Sequence, residues 1–189
     1  SSNDGLAADD VGGSLVLIST QTASSSASLS FTSGIDSTYK EYIFKFINIH
    51  PATDSQHLQV NFRDGSSAFD ATKTTTAFRA RHTEADDATA LGYLTGLDLA
   101  QSTAYQSICG TVGNGNDESF SGTMHLFDPS NTTFIKHFIV RGNTYSSDDQ
   151  TVDMFFAGYC NVTAAIDGVD FKFASGNIDS GVIKMYGVS

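Results

Sequence analysis

Five histidines, two cysteines and a few paired carboxylates are the side chains from which any chemistry in this chain would have to be built. His50, His57, His82, His125 and His137 are scattered. No two of them have the spacing of a helical metal motif, and none stands beside a cysteine pair. His50 and His57 flank a turn containing Asp54, an arrangement more common in turns and on sheet surfaces than in catalytic pairs. The paired acids Asp9-Asp10, Asp86-Asp87 and Asp148-Asp149 lie in polar stretches. Glycosidase chemistry needs two carboxylates fixed across a cleft, so these pairs read as solvating groups. No Gly-x-Ser-x-Gly elbow occurs, and no glycine-rich turn opens a helix that would cradle phosphate. The chain is therefore expected to have no catalytic residues. One segment offers hard-cation ligands at close spacing: in residues 113–118, Asn116, Asp117 and Glu118 could join backbone carbonyls around calcium. The competing reading is a plain hairpin loop. Asn131-Thr-Thr133 and Asn161-Val-Thr163 match glycosylation sequons, a short pattern that recurs by chance.

The elements that must carry these groups are strands. Leu58, Val60 and Phe62 alternate with Gln59, Asn61 and Arg63. Phe120, Met124 and Leu126 alternate with Ser121, Thr123 and His125, and Val169, Phe171 and Phe173 alternate with Asp170 and Lys172. A period of two marks a half-buried strand with one face on a core and one in water. Further runs are expected at 14–22, 27–31, 42–50, 75–82, 103–112, 132–141, 151–160 and 181–188, with 91–101 ambiguous because Gly92 and Gly96 argue against a long helix. About ten short strands without an amphipathic helix predict an all-β, antiparallel two-sheet β-sandwich, jelly-roll-like, as a single domain over 14–189. Residues 1–13 are expected to be an irregular N-terminal arm that orders against a neighbour. The second strand of the closing hairpin should lock the end of the chain into a sheet.

Composition narrows the partners. The 189 residues carry a net charge of -11, and the 10 Lys and Arg are dispersed with no basic stripe. Nucleic acid and anionic membranes are thus disfavoured partners. Charged residues are only 16% of the chain and hydrophobic ones 40%, enough for a core. Cys109 and Cys160 read as buried free thiols, with a disulfide as the alternative.

Some strands are apolar on both faces. Along 42–49, Tyr42, Phe44 and Phe46 alternate with Ile43, Ile47 and Ile49. Phe134, Phe138 and Val140 stand back to back with Ile135 and Ile139, and Val152, Met154 and Phe156 with Phe155 and Tyr159. The outer face of a sandwich should be wet, so the second apolar face needs cover from a loop, the arm or another chain. Phe44, Phe46, Ile47, Phe138 and Phe155 are accordingly the candidate interface residues.

Several segments together carry a resemblance: residues 17–36, Tyr42-Ile-Phe-Lys-Phe-Ile-Asn-Ile-His-Pro51, Asp98-Leu-Ala-Gln-Ser102, Ser121-Gly-Thr-Met-His-Leu-Phe-Asp-Pro-Ser130 and residues 175–187. From about residue 14 onward, the chain resembles small virion-associated structural or fibre-like proteins of marine tailed bacteriophages. That group has no agreed catalytic residues to carry over. The resemblance implies a non-enzymatic virion protein, assembled in the bacterial host cytoplasm. It would act as capsid decoration or cement, or as a tail or fibre component. Its partners would be other copies of itself, with a homotrimer favoured, and other virion proteins. No cofactor is expected. The alternative is a host-receptor or glycan-binding module, with calcium as its one candidate cofactor.

Overall fold

Twelve strands and no helix make up the described residues, 14–189, of the computed structural model. The N-terminal arm expected over 1–13 lies outside them. In chain order the strands are β1 (Leu15–Thr22), β2 (Leu29–Phe31), β3 (Glu41–Pro51), β4 (Leu58–Arg63), β5 (Lys73–Thr83) and β6 (Thr89–Tyr93). They continue with β7 (Gln106–Ser107), β8 (Phe120–Phe127), β9 (Lys136–Ser146), β10 (Gln150–Cys160), β11 (Gly168–Phe173) and β12 (Ile178–Val188). All pairings are antiparallel. One sheet has eight strands in the order β1-β12-β3-β8-β9-β10-β5-β6, and the other has four in the order β2-β11-β4-β7. The antiparallel two-sheet sandwich expected from the sequence is what the chain forms. Jelly-roll wiring is a finer expectation, and twelve strands split eight and four do not establish it.

Alternation explains the core. Leu58, Val60 and Phe62 of β4 and Val169, Phe171 and Phe173 of β11 face the large sheet and are buried. Opposite them stand Phe44 and Phe46 of β3, Met124 and Leu126 of β8, and Phe138 and Val140 of β9, all buried. The rings interlock across the gap. Phe171 lies 5.5 Å from Phe44 and 5.1 Å from Phe46 between centroids, and Phe62 lies 4.9 Å from Phe138. Edge-on and tilted contacts of this kind add to the burial of large side chains. Phe44, Phe46 and Phe138, expected at an interface, are therefore core residues. Periodicity separates the two faces of a strand without saying which one meets the other sheet. Cys109 and Cys160 are buried and free, and burial pushes both thiols up to about 12.

Strand boundaries moved where polar residues continue a ladder. Strand β9 begins at Lys136 and runs on to Ser146, and the expected run at 103–112 reduces to two residues of β7. The remainder of that stretch is a loop held by isolated bonds such as Val112 N–H to the Gln56 carbonyl at 2.8 Å. Phe134 precedes the strand and is exposed.

Candidate functional site: an open aromatic face and a polar recess

The outer face of the eight-stranded sheet carries the first site. Register sets one cross-strand row: Tyr93 of β6 opposite Phe78 of β5, Phe78 opposite Phe155 of β10, and Phe155 opposite Arg141 of β9. Phe78 and Phe155 stack with centroids 4.6 Å apart and planes 6° from parallel. The Arg141 guanidinium lies 4.6 Å from the Phe155 centroid and pairs with Asp153 at 3.0 Å. Tyr93 donates its hydroxyl proton to Asp98 Oδ2 at 2.6 Å. Phe78 is 42% and Tyr93 52% exposed.

Beside this ridge lies a hollow. In the next row Thr76, Ala157 and Ile139 stand opposite one another, and the small Ala157 leaves an apolar depression of about 400 Å³ walled by Thr76, Ile139, His137 and Tyr159. Ile139 is 49% exposed. Of the five interface candidates, Ile47 and Phe155 lie on this outer face. Phe155 is in the ridge, and Ile47 is 41% exposed on β3, away from it. Sequence reasoning missed Phe78, Tyr93 and Ala157. Strand β5 opens on threonines and shows no clean alternation, so its one outward phenylalanine gave a weak signal.

What the ridge can do follows from its geometry. Both faces of the Phe155 ring are occupied, one by Phe78 and the other by Arg141, so the stack presents edges outward. A sugar needs a free ring face to stack on, whereas a protein surface packs on edges and into hollows.

The second site is a polar recess of about 420 Å³ where the large sheet is irregular. The β3–β8 register shifts between Phe46 and Ile49, and the β12–β3 register shifts on either side of Ser180. Bulges of this kind bend a strand and re-aim its side chains. Asn48 adopts φ 49° and Gly181 φ +120°, and a Cβ on Gly181 would sit 2.6 Å from the Asn48 carbonyl oxygen. The bulges open a space lined by Asn48, His50, Asp179 and Ser180, closed on one side by Asn116, Asp117 and Glu118.

The three proposed calcium ligands thus do come together with His50. The Glu118 carboxylate is already engaged within its own turn, however. Glu118 Oε2 accepts a hydrogen bond from the Gly115 N–H, and its backbone carbonyl meets His50 Nδ1 at 2.7 Å. Among the described residues no group of three or more His, Cys, Asp and Glu is placed to hold a metal. His57 is held by another bond, with Nδ1 2.9 Å from the Cys109 carbonyl oxygen, and no hydrogen bond joins it to His50 or Asp54 among the described residues.

No protein-family model matches the chain, and no curated protein is significantly similar to it.

Proposed function

We propose that this chain is a non-enzymatic assembly protein, a β-sandwich that docks to other copies of itself through the outer face of its eight-stranded sheet. The observation that carries this reading is the ridge of exposed Tyr93 and Phe78 stacked on half-buried Phe155, beside the Ala157 hollow. Contiguous exposed apolar surface usually marks an association site. The size is adequate. Five neighbouring strands, three of them 11 residues long, give a face about 24 Å by 36 Å, on the order of 800 Å². That equals the area one partner contributes to a standard interface. The net charge of -11 keeps single copies soluble and makes association salt-sensitive.

The resemblance of the sequence to virion-associated phage proteins supports placing this assembly on a particle, as capsid decoration or a tail or fibre component, with a trimer as its expected form. Light scattering coupled to gel filtration tests the core of the reading. The expected mass is a multiple of 20.1 kDa that falls to the single-chain value in Phe155→Ser. A single-chain mass for the unaltered protein at high concentration and high salt would overturn it.

A second reading rests on the recess. Its amide, imidazole and carboxylate groups could hydrogen-bond the hydroxyls of a glycan from a host surface. A broad glycan array probed with the protein and with Asp179→Ala separates the two readings, because the variant leaves the aromatic ridge untouched. Silence from both proteins removes the glycan reading.

A further inference from the structure

Two lysines in this fold are wholly buried, and they are held in different ways. Lys136, at the start of β9, points its ammonium at three backbone carbonyl oxygens: Val162 at 2.7 Å, Asn131 at 3.1 Å and Phe134 at 3.4 Å. Such a cage satisfies all three of its protons. Lys73, at the start of β5, is 0% exposed and donates to Asn61 Oδ1 at 2.6 Å and to the Ala71 carbonyl at 2.9 Å. No carboxylate lies within salt-bridge distance of Lys73 among the described residues. A buried ammonium without a counter-ion is costly, and the group responds by favouring its neutral form. Burial accordingly lowers the Lys73 amine to about 8.

Asn61 is held as an electrophile would be. It is 1% exposed, on β4 of the four-stranded sheet. Its Nδ2 donates to the Thr103 carbonyl at 2.9 Å, and its Oδ1 accepts the Phe62 N–H at 2.9 Å besides the Lys73 amine. The side-chain amide is fixed by three partners, and a backbone N–H already points at the oxygen on which negative charge would develop during attack at Cγ. Asp170, 3% exposed, stands directly opposite Asn61 in the β11–β4 register, with its two carboxyl oxygens held by Ser30 and Tyr105.

From this geometry we propose that Lys73 and Asn61 join in an intramolecular amide crosslink between the two sheets. The neutral Nζ attacks Asn61 Cγ and a C–N bond forms. The bond from Cγ to Nδ2 then breaks, one Nζ proton passes to the departing nitrogen, and ammonia leaves. No oxidant or reductant enters, and the product amide removes the unpaired buried charge. Lys136 is the internal control, because peptide carbonyls surround it and no side-chain amide does.

Intact-mass spectrometry of the folded protein tests the proposal without any variant. After incubation at pH 9, where the Lys73 amine is largely neutral, the mass should lie about 17 Da below that of the sequence, the loss of one ammonia. Tandem spectra should locate a branched peptide joining Asn61 to Lys73. Lys73→Met, which keeps an unbranched apolar chain in the site, should restore the full sequence mass. Persistence of the full sequence mass in the incubated unaltered protein overturns the proposal, as does a 17 Da loss located at any other pair.

Discussion

The two outer faces of this sandwich reverse the usual order. The face of the four-stranded sheet carries polar residues, yet the chain covers it. Asp170 accepts hydrogen bonds from Ser30 Oγ and, at 2.9 Å, from the Tyr105 hydroxyl, Asn61 is tied to Thr103, and Lys172 lies 4.0 Å from the Tyr105 ring centroid. The face of the eight-stranded sheet carries the aromatic ridge and Ile139 among polar residues, and these apolar side chains are at least partly exposed among the described residues. Fully bonded polar groups can be buried within one chain at modest cost, and they rigidify the region they occupy. Apolar groups left outside gain stability only when a second surface arrives. The contrast teaches that the internal loops serve the polar face, while among the described residues the aromatic ridge of the other face has no such cover.

Breaking the covered face should cost the most. Asp170→Ala removes the shared acceptor of the part-buried Ser30 and Tyr105 hydroxyls, and a loss of about 3 kcal/mol, two hydrogen bonds to a charged group, is expected from urea denaturation. A loss below 1 kcal/mol would mean that the network is solvated. Breaking the open face should show the opposite pattern. Phe78→Ser with Phe155→Ser should lower single-chain stability by about 2 kcal/mol, the aromatic pair plus the buried part of each ring, while sedimentation shows assembly abolished. If assembly survives, the docking face lies elsewhere.

A titration sharpens the same contrast. Burial first, and then the bond to Asp170, raise the Tyr105 hydroxyl, whereas exposed Tyr93 is raised mainly by its bond to Asp98. Because the folded value of Tyr105 lies above its ordinary 10.0, its stabilising contribution is intact below about pH 10 and is lost as pH climbs through the folded value. The stability gap between the unaltered protein and Tyr105→Phe should therefore stay constant to about pH 10 and narrow above it. A gap that narrows at neutral pH would contradict the burial of that hydroxyl. Smallest of all should be Asp153→Asn. The Arg141–Asp153 pair is exposed and screened by salt, so no measurable change in the denaturation midpoint is expected at physiological ionic strength.

Much of this was legible in the residues. The alternation in 58–63, 120–127 and 168–173 placed three strands and their inward sides. What escaped was cover. Asn61 and Asp170 sit on the parity that should meet water, and only the path of residues 98–107 over that face buries them. A pairing period reports on neighbours along one strand and carries nothing about a loop that returns from forty residues away. Phe44, Phe46 and Phe138 share the difficulty: with apolar residues on both parities, the inward side is decided by where the smaller sheet lies. The ridge was hidden for a related reason, since Tyr93, Phe78 and Phe155 meet only through register across three strands.

Among the described residues strand β1 has a single partner in its sheet, β12, and Ser14 and Ser189 hydrogen-bond to each other. On a ribosome adding about 5–20 residues per second, Leu15 would wait on the order of ten seconds or more for Val188 to be made. Throughout that interval Leu15, Val16 and Leu17 would lack β12, their partner among the described strands. Folding of this edge is thus a matter of scheduling: β1 is made long before the strand it pairs with, and a cell producing the protein must keep it apart from its neighbours until then.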